Sequence, residues 1–357
     1  MMTHVLLLGA GKIGSCISHL LASTGEYSVT VADRDPDLLS YIPRDEAEVR
    51  ELDVADPARL REAMAGMDMA VSALPFYLNA GVAEAARDAG VHYFDLTEDV
   101  ETTRRVRAIA DGAGTAFMPQ CGLAPGFVSV VAYDLAARFN SLRDVHMRVG
   151  ALPMFPDNAL KYNLTWSTDG LINEYCNLCE AIHEGQRREV LALEGLEHFS
   201  LDGITYEAFN TSGGLGTLCD TLAERVEELN YKTVRYPGHR DLVKLLAEDL
   251  RLGQRRALFK DVLENAIPVT KQDVVLVFVT VSGLQEGRLT QDSFAKKVYS
   301  GTIGGKLWSA IQITTAAGAC AMVDLLRAGK LPQRGFVRQE DAGLSDFLAN
   351  RFGRYYA

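Results

Sequence analysis

No stretch of this chain is apolar for anything near the ~20 residues that a membrane-spanning helix needs. The opening run Val5-Leu6-Leu7-Leu8 is too short and wrongly flanked for a secretory signal. Cationic excess is also missing. Against 47 Asp and Glu stand only 36 Lys and Arg, a formal charge of −11, which argues against bulk attraction to nucleic acid or anionic lipid. Cysteine is sparse, with six residues scattered at 16, 121, 176, 179, 219 and 320. No disulfide framework is expected from them, and a reducing cytoplasm is the expected compartment. Cys176 and Cys179 form a lone CxxC without a second Cys or His pair at finger-like spacing, and read as two thiols on a helix. No metal site, internal repeat or low-complexity segment is expected. What is present is 357 residues of ordinary globular composition, 48% hydrophobic and 23% charged, enough for roughly two domains without staples.

The first third alternates short apolar runs with helically spaced ones. Strands are expected at 5–8, 28–32, 69–73, 92–96 and 116–118, with helices at 12–24, 58–64, 79–89 and 101–112. Strands separated by helices of this length form right-handed crossovers and a parallel sheet. The turn-rich Gly122-Leu123-Ala124-Pro125-Gly126 then punctuates the chain, and a helix over 127–138 follows. Longer β-like runs occupy 145–150, 232–236, 274–282 and 293–298; the β-branched 274–281 predicts a core strand. The expected fold is α/β: a dinucleotide-binding domain over 1–122, and an α+β substrate and oligomerisation domain with a mixed sheet over 123–310. A C-terminal segment, 311–357, is expected to return to the first domain through a helix over 311–326.

Gly9-Ala10-Gly11-Lys12-Ile13-Gly14 is a GxGxxG sequence that follows a buried strand and opens a helix. The first glycine permits the tight turn, the second admits a pyrophosphate, and the third lets helix and strand pack. The helix N-terminus supplies N–H groups to the phosphates. Asp33 stands at the end of the next strand, where a carboxylate accepts ribose hydroxyls and repels a 2′-phosphate, so NAD is the expected cofactor. Arg34 beside it favours a 2′-phosphate and keeps NADP as the second choice. Asp53 either meets the adenine edge or belongs to a cap before Pro57. Ala73-Leu74-Pro75 leaves a strand at the sheet's carboxyl edge and lines the cofactor path or is a plain loop.

Several of these stretches resemble the saccharopine dehydrogenase-like family: the opening Val5–Gly11, Ser72-Ala73-Leu74-Pro75 and Gly122–Gly126. Trp166-Ser167 with Gly170, and Thr233-Val234-Arg235-Tyr236-Pro237-Gly238-His239, extend the likeness through the second domain. Within that family the chain looks closest to the branch of NAD-dependent L-lysine 6-dehydrogenases. The glutamate-forming saccharopine branch resembles Gly-Leu-Asp-Pro-Gly in the turn and carries an arginine after an asparagine; this chain has Ala124 and Asn210-Thr211. The resemblance implies oxidation of the ε-amine of L-lysine, and a homodimer or higher homo-oligomer. The rival readings are saccharopine dehydrogenase, a carboxynorspermidine-type reductase and a non-catalytic nucleotide sensor.

Such a reaction needs a neutral amine, and the ε-amine has a pKa of ~10.4, so the site must help remove a proton. Asp95, Glu98 and Asp99 follow the strand at 92–96 and are the candidate proton handlers; equally, Glu98 and Asp99 cap the next helix, and Asp95 is a sheet-end residue. Leu96, Gly122, Leu123 and Pro125, with Lys12 and Ile13, complete the expected cofactor surface, and 122–126 is also the expected hinge. Arg235 is the candidate clamp for the substrate carboxylate, or a structural ion pair. His239 is expected to titrate near neutral pH and to move a proton or bind substrate, or to cap a turn. Tyr162 and Trp166 form a substrate wall or one packed face of a helix, and Thr211 is a substrate contact.

Overall fold

The computed structural model describes residues 2–357. The chain divides into two units: residues up to Phe127 together with Gln312–Ala357, and Val128–Ile311.

The first unit is built on a seven-stranded parallel sheet. Its strands are β1 (Thr3–Leu8), β2 (Tyr27–Asp33), β3 (Glu48–Glu51), β4 (Met69–Ser72), β5 (His92–Asp95) and β6 (Ala116–Met118), with the two-residue strand Gly335–Phe336 beyond β6. The order runs Gly335–Phe336, β6, β5, β4, β1, β2, β3. Leu6, Leu8 and Ala70 are inaccessible or nearly so, and pack with Leu60, Met64, Val82, Ala86 and Phe117. Residues buried on both faces explain why these strands read as continuous apolar runs. Helices α1 (Lys12–Ala22), α2 (Pro36–Ser40), α3 (Pro57–Met64), α4 (Asn79–Ala89) and α5 (Val100–Ala110) make the crossovers. Two begin at capping carboxylates followed by Pro: Asp35 accepts from Asp37 N, and Asp56 from Ala58 N and Arg59 N.

The C-terminal residues complete this unit. Cys320, Met322 and Val323 of the helix Ala310–Arg327 are fully buried. Tyr27 donates to Asp324 at 2.6 Å, and Arg351 bridges Asp324 at 2.6 Å and Glu26 at 3.0 Å. Tyr356 is completely buried, stacks on Phe127 with ring centroids 3.9 Å apart, and donates to the Thr314 carbonyl at 2.5 Å.

The second unit carries a mixed sheet. Its strands are β7 (Ser141–Pro153), β8 (Cys179–His183), β9 (Gln186–Val190), β10 (Glu197–Leu201), β11 (Ile204–Asn210), β12 (Val226–Arg235), β13 (Asp273–Gln285) and β14 (Arg288–Tyr299). The main order is β10, β11, β12, β7, β13, β14; β8 pairs with β12 and β9. Only β12 and β7 pair in parallel; the remaining pairs are antiparallel. Helix α6 (Phe127–Ala136) leads into β7, and α7 (Thr168–Cys176) precedes β8. A core of Tyr162, Leu171, Tyr175, Phe209, Phe259 and Leu263 joins the helices to the sheet.

Three expectations are corrected here. Cys176 ends α7 and Cys179 begins β8, so the CxxC straddles a helix–strand junction. Tyr162 and Trp166 lie in an irregular segment, where the Trp166 indole donates to the Tyr162 hydroxyl at 3.3 Å; they do not share a helical face. The β-like runs of the second unit extend well beyond the expected bounds, because polar residues on one face of these long strands hide their ends from an apolar count.

Tyr356 offers a direct test of the C-terminal packing. Tyr356→Ala should lower stability by about 3–5 kcal/mol in denaturant melts, as for other buried aromatic deletions. Tyr356→Phe, which keeps the ring and loses one hydrogen bond, should cost about 1 kcal/mol.

Candidate active site

The strand order of the first unit reverses between β1 and β4, and loops leaving the carboxyl ends of strands at such a switch point form a binding crevice. The turn after β1 is shaped by close backbone approach. Gly9 has φ +103°, and a Cβ on Gly14 would lie 1.9 Å from the Gly9 carbonyl oxygen. A Cβ on Gly11 would meet nothing within 4 Å. Thus Gly9 and Gly14 are fixed by the fold, whereas Gly11 faces open space. No side chain caps the N-terminus of α1, which leaves its positive end available to an anion.

Asp33 closes β2. Its carboxylate accepts from Ala10 N at 2.8 Å and Asp35 N at 2.9 Å, one bond to each oxygen. Each oxygen keeps lone-pair capacity for a ribose hydroxyl. Arg34 is exposed. The glycine cradle, the uncapped helix and the oriented carboxylate together fit a dinucleotide, with pyrophosphate over Gly11 and ribose at Asp33. Lys12 is exposed and Ile13 half-buried; Ala73, Leu74 and Pro75 are half-buried beside the turn, the Ala73 carbonyl 2.8 Å from a Cβ placed on Gly9. Asp53 is exposed and accepts from Ala55 N at 3.0 Å, forming a turn, while Asp56 caps α3.

The three acidic residues after β5 occupy different environments. Asp95 has no solvent exposure; it accepts from the Tyr93 hydroxyl at 2.7 Å and from Thr97 N and Gln120 N, each at 2.9 Å. Burial raises its pKa, against these three donors. This geometry makes Asp95 a tie between the ends of β5 and β6. Asp99 is the N-cap of α5 and accepts from Thr102 N at 2.7 Å. Glu98 and Leu96 are half-buried on the same loop. The Gly122–Gly126 turn follows β6, with Leu123 and Pro125 buried and Gly126 at φ +135°.

In the second unit the structure brings Arg235, Tyr162 and His239 together, and adds a residue that sequence reasoning missed. Arg235 is 3% exposed. Its Nε donates to the Tyr175 hydroxyl at 3.1 Å and its Nη1 to the Val234 carbonyl at 2.8 Å, with the guanidinium 4.8 Å from the Tyr162 ring centroid. Tyr175 in turn faces His239 Nε2 at 3.0 Å, and His239 Nδ1 lies 2.7 Å from the Leu160 carbonyl. The carbonyl can only accept, so Nδ1 carries the proton, Nε2 accepts from Tyr175, and Tyr175 accepts from Arg235. This one-directional chain locks the guanidinium. Among the described residues Nη2 of Arg235 has no hydrogen-bond partner and the side chain has no ion pair. Such a buried donor suits an anion.

His239 does not titrate near neutrality as expected. Burial, then the Arg235 charge, hold its pKa down at about 3. Glu207 fixes the turn before it, accepting from Gly238 N at 2.7 Å and Arg240 N at 2.6 Å. Thr211 is buried, its hydroxyl unpartnered, beside Glu180 and the Gly213–Gly216 loop. Trp166 is half-buried against Tyr162. The missed Tyr175 carried one signal: it follows Glu174, a lone charge in the apolar run 170–176.

None of the six cysteines forms a disulfide, and burial pushes the thiols of Cys121, Cys176, Cys179, Cys219 and Cys320 upward. No group of three or more His, Cys, Asp or Glu side chains among the described residues could hold a metal ion, and no helix there is long and apolar enough to cross a membrane.

Comparison with known proteins matches residues 5–118 to the saccharopine dehydrogenase NADP binding domain and residues 122–352 to the saccharopine dehydrogenase C-terminal domain. The chain is 23% identical over 267 residues to the NADP-dependent, L-glutamate-forming saccharopine dehydrogenase of Schizosaccharomyces pombe, covering 69% of this chain and 58% of that one. It is 24% identical over 264 residues to its counterpart in Saccharomyces cerevisiae, covering 69% and 57%. The chain thus matches little more than half the length of these relatives. The apo saccharopine dehydrogenase (L-Glu forming) from Saccharomyces cerevisiae superposes with a TM-score of 0.74 at 18% identity, over 95% of this chain and 94% of that one; this likeness establishes the fold.

Two outcomes follow from the geometry. Gly11→Ala should melt like the wild type yet bind dinucleotide at least tenfold more weakly by NADH fluorescence, a loss of about 1.4 kcal/mol. Gly14→Ala should lose both folding stability and binding. For His239, the unfolded imidazole takes a proton near pH ~6.5 and the folded one only near 3. The unfolded state therefore binds the extra proton, and His239 removes stability progressively as pH falls from about 6.5 towards 3, with no effect above that window. His239→Gln should flatten the fall of unfolding free energy between about pH 6 and 4; an unchanged slope would mean that the imidazole is not held neutral.

Proposed function

Since the chain belongs to the saccharopine dehydrogenase family of oxidoreductases acting on CH–NH donors, we propose that it oxidises the ε-amine of L-lysine with NAD. Water consumed in hydrolysing the resulting iminium gives 2-aminoadipate 6-semialdehyde, which cyclises to piperideine-6-carboxylate, together with ammonia, NADH and a proton. The supporting observation is the supply of buried guanidinium groups. Two arginines are buried among the described residues, Arg148 and Arg235. Arg148 is spent on Glu197, which accepts from both its Nε and its Nη2. Of these two, it is Arg235 that keeps a donor, Nη2, without a partner. One clamp suits lysine, with its single carboxylate; saccharopine carries three. Thr211, where the saccharopine branch resembles arginine, adds no second cation.

A dinucleotide held by Gly9, Gly11, Gly14 and Asp33 would supply the hydride acceptor for the carbon bearing the amine. The residues of the chain do the rest. Arg235 fixes the α-carboxylate, and the Tyr175–His239 chain fixes Arg235. Within the first unit Glu98 is the candidate for proton transfer, because Asp95 is committed to the β5–β6 tie and Asp99 to the α5 cap. The oriented carboxylate of Asp33 supports NAD over NADP by its repulsion of a 2′-phosphate, although the curated relatives are NADP enzymes.

The test is an amine panel followed by NADH absorbance, with released ammonia measured alongside. L-lysine with NAD should be the best pair and saccharopine poor. Faster turnover of saccharopine would move the chain to the glutamate-forming branch. Tight dinucleotide binding without turnover of any amine would make it a sensor.

A further inference from the structure

Gln120 combines two unfavourable features at the ligand-binding edge of the first unit. Among the described residues of that unit it is the only one other than glycine with a positive φ, +64°. Glycine adopts this conformation freely, whereas a residue with a Cβ is strained in it. The backbone is held there by three hydrogen bonds. Gln120 N donates to the Asp95 carboxylate at 2.9 Å, Cys121 N donates to the Asp95 carbonyl at 2.8 Å, and the Pro119 carbonyl accepts from Gln339 Nε2 at 2.6 Å. The side-chain amide, by contrast, is bonded to nothing. Gln120 is 1% exposed, its Oε1 is buried without a hydrogen bond, and its Nε2 has no acceptor among the described residues. A buried amide left open at both ends is unfavourable until a partner arrives. If only the turn mattered, glycine would serve it without the strain and without the open amide.

The sheet fixes where this amide stands. Leu8 pairs with Ser72 and Ser72 with Asp95, so the ends of β1, β4 and β5 lie in one row, and the Asp95 carboxylate holds Gln120 at that level beyond β6. In the strand order Gln120 is on the opposite side of β1 from Asp33, three strand spacings or about 14 Å from β1. A dinucleotide with its adenine ribose at Asp33 and its pyrophosphate over Gly11 crosses the switch point with its other half over β4, β5 and β6. That half ends in a primary carboxamide, which carries one acceptor oxygen and one NH2 donor and so matches a glutamine amide through two hydrogen bonds. We propose that Gln120 reads the nicotinamide carboxamide, so that the first unit recognises the pyridine end of its cofactor as well as the adenosine end. This assignment rests on the dinucleotide reading of Gly9, Gly11, Gly14 and Asp33, and is indifferent to which amine is oxidised.

The experiment is calorimetric titration of the full chain with three probes. They are NAD, its nicotinic acid analogue, in which a carboxylate replaces the carboxamide, and ADP-ribose, which lacks the pyridine ring. Wild type should prefer NAD over the acid analogue by about tenfold, because a carboxylate has no N–H to give to Gln120 Oε1. Gln120→Leu should erase that preference by weakening NAD while leaving ADP-ribose unchanged. Gln120→Gly, which takes the positive φ without strain, should show the same losses and serves if the leucine variant does not fold. Equal affinity of the wild type for NAD and the acid analogue, or a preference that survives in the variants, would overturn the assignment and leave the dinucleotide site standing. A variant that weakens all three probes equally, as a purely structural residue would, also overturns it. Binding of none of the probes by the wild type would overturn the dinucleotide reading and this assignment with it.

Discussion

Two turns of the first unit exist only because no Cβ is present in them. At Gly14 a methyl group would sit 1.9 Å from the Gly9 carbonyl oxygen, and at Gly126 it would sit 2.1 Å from that of Gly122. Backbone packed on backbone at these distances fixes both loops with little help from side chains. The first brings α1 against β1 and leaves the end of α1 uncapped. The second starts α6, where Phe127 N donates to the Gly122 carbonyl at 3.0 Å. The positions of Asp33, of the loop after β4 and of the chain leaving the first unit all follow from these contacts. Between them the Asp95 carboxylate ties the ends of β5 and β6, replacing with three donors the solvent it has lost.

The parallel sheet was legible because burial on both faces writes long apolar runs. β3 was not: Glu48–Glu51 is polar and only partly covered. The hairpins of β8 with β9 and β10 with β11 escaped for the same reason, since their exposed faces carry Arg187, Arg188, Glu189 and His198. Their turns did leave a signal: Glu184-Gly185 and Asp202-Gly203 both have positive φ, and such pairs favour two-residue hairpins.

The candidate site divides along a different line. The glycines of the cradle and Asp33 were readable because their roles follow from backbone geometry at fixed spacing. The clamp was half readable. Arg235 stood out as an arginine, but its partner Tyr175 lies on a helix remote in sequence, and only the fold brings it there. His239 shows the opposite limit, since an imidazole's usual pKa says nothing about one sealed beside a guanidinium. Asp95 is similar: its position at a strand end suggested chemistry, while its hydrogen bonds describe architecture.

The buried, protonated thiols take on a meaning once the proposed product is considered. An enzyme that releases an aldehyde works beside an electrophile of its own making, and sulfur attacks such carbon as thiolate. Cys121 and Cys320 have no surface to present, and Cys179 and Cys219 are held as thiols with pKa values pushed up to about 12. Under the proposed reaction the chain would offer its aldehyde few nucleophilic sulfurs, a consequence of the packing around these cysteines.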